Sequence, residues 1–139
     1  MPLLDVTDAF QIEVPDGWEA KSPSGREYTI SSGDDAELQI DIVVYPARTK
    51  KDALPEASTA AVRAWAKSIG VQNTESITVL TPGGDTPRAF ATIRGEGRDL
   101  FVGFFYFKKS FVVAAGRASS DDRAGFARIE RMLWSVEAA

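Results

Sequence analysis

No cysteine and no histidine occur among the 139 residues of the sequence. The first absence removes disulfides, thiolate nucleophiles, iron–sulfur clusters and cysteine-ligated zinc. The second removes the commonest general base, the usual ligands of catalytic zinc and the side chain that changes charge near neutral pH. An excess of basic residues is also lacking, since 16 Lys and Arg face 20 Asp and Glu for a net charge of −4. Nonspecific nucleic-acid binding needs a positive footprint, and the adjacent basic pairs Lys50-Lys51 and Lys108-Lys109 do not build one. No apolar run approaches the roughly 18 residues of a membrane span. The longest, Phe101 to Phe107 around Gly103, is the size of a strand. Met1 to Asp5 lacks the basic start and apolar stretch of a signal peptide. The expected location is therefore the cytoplasm, or an exported one if a leader has been removed.

What is present is ordinary for a folded chain. An apolar share of 44% and a charged share of 26% exclude disordered and collagen-like classes, and the length suits one domain over residues 1–139. Turn chemistry punctuates it at Pro15-Asp16-Gly17, Ser22 to Gly25, Ser32-Gly33-Asp34, Pro82 to Pro87 and Gly95-Glu96-Gly97. Between these turns, Phe10, Ile12 and Val14 alternate with polar residues, as do Leu38, Ile40, Ile42 and Val44. Both patterns read as half-buried strands. Tyr28–Ile30, Ile77–Val79 and Ala89–Ile93 read as three more.

Leu100 to Tyr106 is apolar on both faces: Leu100, Val102, Phe104 and Tyr106 form one row, and Phe101, Phe105 and Phe107 the other around Gly103. With Phe111 to Ala115 it forms the expected centre of a sheet covered on both sides. Gly103 marks a bend or a close backbone approach.

Helical spacing occurs twice. Asp52 caps a predicted helix whose stripe is Leu54, Ala57, Ala61, Trp65 and Ile69, with Gly70 closing it. The second is predicted from Ser119, with Asp122 completing a capping box and a stripe of Phe126, Ile129, Leu133 and Val136. The order is βββ-α-ββββ-α. The fold class is α+β: a mostly antiparallel sheet of about six to seven strands flanked by two main helices.

Chemistry-bearing motifs do not fill the gap left by His and Cys. The carboxylate pairs Asp34-Asp35 and Asp121-Asp122 read as a solvated turn and a helix start. The glycine-rich loop at Pro82 to Pro87 lacks the phosphate-cradling pattern and opens no helix, and Gly95-Glu96-Gly97 is followed by a strand. Ser68 beside Lys67 and Ser110 beside Lys109 are sequence neighbours, which point apart on helix and strand alike. The expectation is no enzyme, no metal and no cofactor.

The aromatics are the distinctive feature. Six of the fourteen (Phe101, Phe104, Phe105, Tyr106, Phe107 and Phe111) fall within eleven residues. They read as a core strand between two helices, or as a row facing a groove for an apolar ligand, a partner helix or a second subunit. On the second reading Phe104 and Tyr106 line the groove, and Gln39 and Asp41 border it.

Phe10-Gln11-Ile12-Glu13-Val14-Pro15-Asp16-Gly17-Trp18 resembles the opening hairpin of the PsbP/Mog-like superfamily, including its DcrB-type bacterial domains. The closing Leu133-Trp134-Ser135-Val136 is similar to the end of such domains, with Val136 where an aromatic is commoner. The resemblance implies an antiparallel sheet flanked by helices and used for binding. Members of the superfamily serve as photosystem accessory subunits, import factors, lipoproteins and chaperones for secreted toxins. It implies a non-enzymatic accessory or chaperone-like role whose partner is another protein, such as a secreted effector or an apolar helix, with a homodimer also compatible. The alternative is a carrier of a small apolar ligand beneath the aromatic strand.

Overall fold

The computed structural model describes residues 3–5, 10–24, 26–33, 35–46, 55–68, 70, 77, 79–80, 88–95, 97–107 and 110–138. In chain order the elements are β1 (Leu3–Asp5), β2 (Phe10–Glu13), β3 (Trp18–Ser24), β4 (Glu27–Ser32), β5 (Asp35–Pro46), α1 (Pro55–Ser68), β6 (Val79–Leu80), β7 (Arg88–Arg94), β8 (Arg98–Tyr106), β9 (Ser110–Ser119), α2 (Arg123–Trp134) and β10 (Glu137–Ala138). The class is α+β, as the alternation in the sequence implies. Seven strands form one antiparallel sheet in the order β3-β4-β5-β9-β8-β7-β6, and a small sheet has the order β1-β2-β10.

The two-faced strand stands where its composition puts it. β8 lies between β7 and β9, with Phe104 opposite Ala89 on one side and Val113 on the other. Its Phe101 and Phe105 face a core built with α2, while Val102 and Phe104 face a second core built with α1. Gly103 is a close approach: a Cβ there would stand 2.8 Å from the Phe105 ring and 3.3 Å from Phe90.

The α2 side is the larger core. Ile30, Ile40, Ile42, Phe90, Phe105, Val112 and Ala114 of the large sheet meet Ile129, Met132 and Leu133 of α2, and Phe10 and Ile12 of β2 close the end. Each fully buried side chain of this size stabilises by roughly 1.5–3 kcal/mol. On the opposite face α1 packs on β7 and β8, through Val62 and Ala66.

Several local expectations need correction. The opening segment is not a hydrogen-bonded hairpin, because β2 belongs to the small sheet and β3 to the large one. Gly17, at φ 88°, and the Trp18 N–H donating to Pro15 O at 3.2 Å turn the chain from one sheet to the other. β3 itself is an addition to the expected strands, because as an edge strand it has only one neighbour to satisfy. Its Lys21 and Pro23, with a register shift between Lys21 and Ser24, follow the pattern of guarded edges. Of the strand predicted at Ile77–Val79, Val79 lies in β6, while Ile77 is buried outside any strand.

Of the stripe predicted for α1, Trp65 is the member whose side chain is described, those of Leu54, Ala57, Ala61 and Ile69 lying outside the described set. Val62 and Ala66 are fully buried, and Trp65 is half-buried and packed against the same cluster. The Asp52 cap, Leu54, Ile69, the 82–87 loop, Asp34, Lys50-Lys51 and Lys108-Lys109 lie outside the described residues. Gly70 is at φ 95°, and its N–H donates to Lys67 O at 3.1 Å, as a helix-closing glycine does.

The start of α2 also differs. Ser119 is still paired with Arg98 in the sheet, so no capping box forms, and Asp122 is itself the N-cap. Its Oδ1 accepts from the Gly125 N–H at 2.9 Å. Asp122→Ala is expected to lower stability by about 1 kcal/mol, measured by urea unfolding. Val136 lies beyond the helix but is buried in the α2 core. After α2, Ser135 Oγ accepts from the Glu13 N–H at 2.9 Å, and β10 pairs with β2.

Candidate binding surface

The pairing registers place the open part of the α1 face rung by rung. Tyr106, Phe111 and Tyr45 share one rung across β8, β9 and β5. Phe104, Val113, Val43 and Glu27 share the next, and Val102, Ala115, Asp41 and Thr29 the third. Leu100, Arg117, Gln39 and Ser31 form the fourth. Since α1 covers β7 and β8, the side chains of β9 and β5 on this face stay partly exposed among the described residues. Phe111, Val113, Ala115 and Val43 are half-buried, and Tyr45 is 47% exposed.

The aromatic rung is a stack. Phe111 lies 4.5 Å from the Tyr106 ring and 6.1 Å from that of Tyr45, at interplanar angles of 23° and 30°. Phe104 stacks on Phe111 from below at 5.8 Å. Burial raises the pKa of the Tyr106 phenol above its ordinary 10.0, so its hydroxyl stays protonated. Beside the apolar rungs runs a polar chain. Arg117 Nη2 donates to Gln39 Oε1 at 3.2 Å, Gln39 Nε2 donates to Asp41 Oδ1 at 2.7 Å, and Thr29 Oγ1 donates to the same oxygen at 3.4 Å.

The structure thus puts Phe104, Tyr106, Gln39 and Asp41 on one face, with unequal access. Phe104 is 2% exposed and forms the floor under α1 and Phe111, whereas Tyr106 and Gln39 are half-buried and Asp41 is exposed. Val43, Tyr45, Val113, Arg117 and Thr29 were missed. For the apolar ones the signal was present as alternation: Phe111, Val113 and Ala115 form one row of β9, and Val43 and Tyr45 continue the row of Gln39 and Asp41.

A second concavity, a cleft of about 320 Å³, opens on the other face of the sheet, where the ends of β7 and β8 meet the start of α2. Arg94 Nη1 donates to Asp99 Oδ2 at 2.7 Å and its guanidinium stands 5.4 Å from the Phe126 ring centroid. Ser120 Oγ reaches the other oxygen of Asp99 at 3.4 Å, which gives a nearly buried carboxylate two partners. The remaining lining is Thr92, Asp122, Arg123 and Glu130, a polar set of both signs rather than an apolar pocket under the aromatic row. No group of three or more metal-ligating side chains converges among the described residues. No helix among them is long and apolar enough to cross a membrane.

No protein-family model matches the chain, and no curated protein matches it by sequence. Solved structures do. The solution structure of the cyanobacterial PsbP, CyanoP, from Synechocystis sp. PCC 6803 superposes with a TM-score of 0.72 at 12% identity, covering 97% of this chain and 89% of that one. The chain has the PsbP/Mog-like fold. LpqN of Mycobacterium tuberculosis, involved in cell envelope biogenesis, shares this fold at a TM-score of 0.58 and 16% identity, over 94% of this chain and 83% of that one. A Bacteroides thetaiotaomicron protein matches at 0.59 and 10% over 94% of this chain, which spans 45% of that longer one. At these identities the likeness to PsbP/Mog-like proteins is one of fold, and function has to be argued from the surface.

Proposed function

We propose that the protein is a non-enzymatic accessory or chaperone-like domain that binds another protein on the open half of its α1 face. The observation that carries this reading is the belt of half-buried apolar side chains on β9 and β5, which no described element covers. From β9 to β4 the sheet is about 10 Å wide at normal strand spacing, close to the diameter of one helix with its side chains. An apolar or amphipathic segment fits there beside α1. The involvement of LpqN in cell envelope biogenesis makes the envelope as well as the cytoplasm a place to look for the partner.

A photo-crosslinking residue at Tyr45, compared with one at the exposed Arg128 of α2, tests the reading in the native host. The expected result is one discrete protein adduct from position 45 and none from 128. Val113→Glu is expected to abolish the adduct, with circular dichroism checking that the fold is kept, since Val113 packs at the margin of the α1 core. Equal labelling from both faces, or none from position 45, overturns the proposal. A lipid retained through purification, with no protein adduct, would establish the carrier alternative instead.

A further inference from the structure

We infer that Asp41 is the charge-reading anchor of this face and receives the Lys or Arg head of an otherwise apolar partner segment. The inference rests on the docking reading above and adds the chemistry of the partner. Asp is depleted from strand interiors, yet this one stands in the middle of β5, between Ala115 and Thr29 on its rung and beside Val43 along the open row. Its carboxylate is held in place. Gln39 and Thr29 both donate to Oδ1, while Oδ2 takes no donor among the described residues.

Among the described residues, the cations of the sheet on this face do not neutralise it. Arg117 on β9 is the diagonal neighbour, but its guanidinium bonds the Gln39 amide oxygen and its Nε is buried without a hydrogen-bond partner. Gln39 therefore stands between the two charges and passes polarisation along the chain, which strengthens its own N–H as a donor to Asp41. At the far end of the face Arg98 is engaged by Glu37 at 3.5 Å. Lys21 lies on β3, beyond Thr29. Glu27, diagonal to Asp41 across β4, adds a second negative charge beside the apolar belt.

A segment that covers the belt also removes water from around Asp41. A carboxylate losing its water without a cation is strongly penalised, whereas a cation placed on the open Oδ2 makes a charge-assisted bond. The face therefore selects for a basic residue flanked by apolar ones and rejects wholly apolar or acidic segments. Discrimination of this kind comes from what the unfavoured partner leaves unpaired.

The test is selection from a random peptide-display library on the wild-type protein, on Asp41→Lys and on Val113→Glu. Wild-type protein is expected to enrich apolar peptides with one Lys or Arg, and Asp41→Lys to enrich apolar peptides with Asp or Glu. Fluorescence anisotropy on one selected peptide should then show at least about a tenfold loss for Asp41→Asn and for the peptide with its basic residue changed to Gln. Combining the two changes should add little, because both remove the same contact. Enrichment without basic residues, no inversion by Asp41→Lys, or additive losses overturns the anchor role while leaving docking intact. No enrichment on wild-type beyond that on Val113→Glu overturns the docking reading, and the inference with it.

Discussion

Gly116→Val is expected to unfold the protein or reduce it to a marginally stable state. Gly116 lies in β9 under α2, and a Cβ added there would meet the Ile129 side chain at a distance no packed structure accommodates. Ile40 stands 3.4 Å away on the other side, so the new atoms have nowhere to go. Ile129 is fully buried among Phe101, Phe126, Met132 and Leu133, which leaves its side chain no room to withdraw. Overpacking a filled core typically costs about 1–3 kcal/mol and occasionally more. Here a branched side chain would have to lift a helix off the sheet, so the upper end or beyond is expected. Urea unfolding measures the effect, and a midpoint within about 0.5 M of wild type would contradict it. Ile129→Ala combined with Gly116→Val should cost less than the two single losses added together, because it vacates the space the valine needs.

The second large effect is expected for Phe90→Ala, at about 3–5 kcal/mol. Phe90 is fully buried at the junction of β7, β8 and α2. Its ring stacks on Phe101 at 5.6 Å and on Trp134 at 4.2 Å, and meets Phe105 edge-on at 5.6 Å. Removing it opens a cavity that none of these rigid rings can fill by changing rotamer. Trp134 is 42% exposed and leans on Phe90, so its emission should shift to the red and its near-ultraviolet circular dichroism should weaken. Preserved emission together with an unchanged midpoint would show that Phe90 is not the hub described.

Much of this architecture was legible because alternation and register are properties of the chain. The rows Leu38-Ile40-Ile42 and Phe101-Phe105 alternate so regularly that their burial follows from the pleat alone. Gly103 stands out because a residue without a side chain inside an aromatic run leaves space that a neighbouring ring can fill, as those of Phe105 and Phe90 do. What escaped was set by tertiary context. β3 carries Trp18, Glu19, Ala20 and Lys21 without a strong pattern, since pairing with β4 alone gives it an edge position. The N-terminus of α2 moved by three residues because Ser119 is more useful to the sheet than to the helix.

The candidate surface was half legible. Alternation puts Gln39 and Asp41 in one row of β5 and Tyr106 in the row of Phe104 on β8, and the pairing through β9 puts the two rows on one face. Whether α1 covers that face depends on where a connection lands, and no local pattern carries that information. Hence Phe104 belongs to the floor, while Phe111 and Tyr45, outside the predicted set, stand nearer the surface. Arg117 and Thr29 were invisible for a related reason. Each is ordinary in its own strand, and their connection to Gln39 and Asp41 exists only across three strands in register.

The strand at the rim of the large sheet has a consequence for how such a protein behaves in a crowded solution. β3 ends in a bulged stretch containing a proline, which has no N–H to offer, and β6 at the opposite rim has two described residues. The end of β3 is a poor template for a neighbouring extended chain. Growth of the sheet from molecule to molecule, the common route from a β-rich fold to fibrils, is disfavoured at the bulged, proline-bearing end of β3 by its backbone chemistry. A molecule built this way can display sticky side chains on its flat side while its β3 rim discourages copies of itself from stacking there.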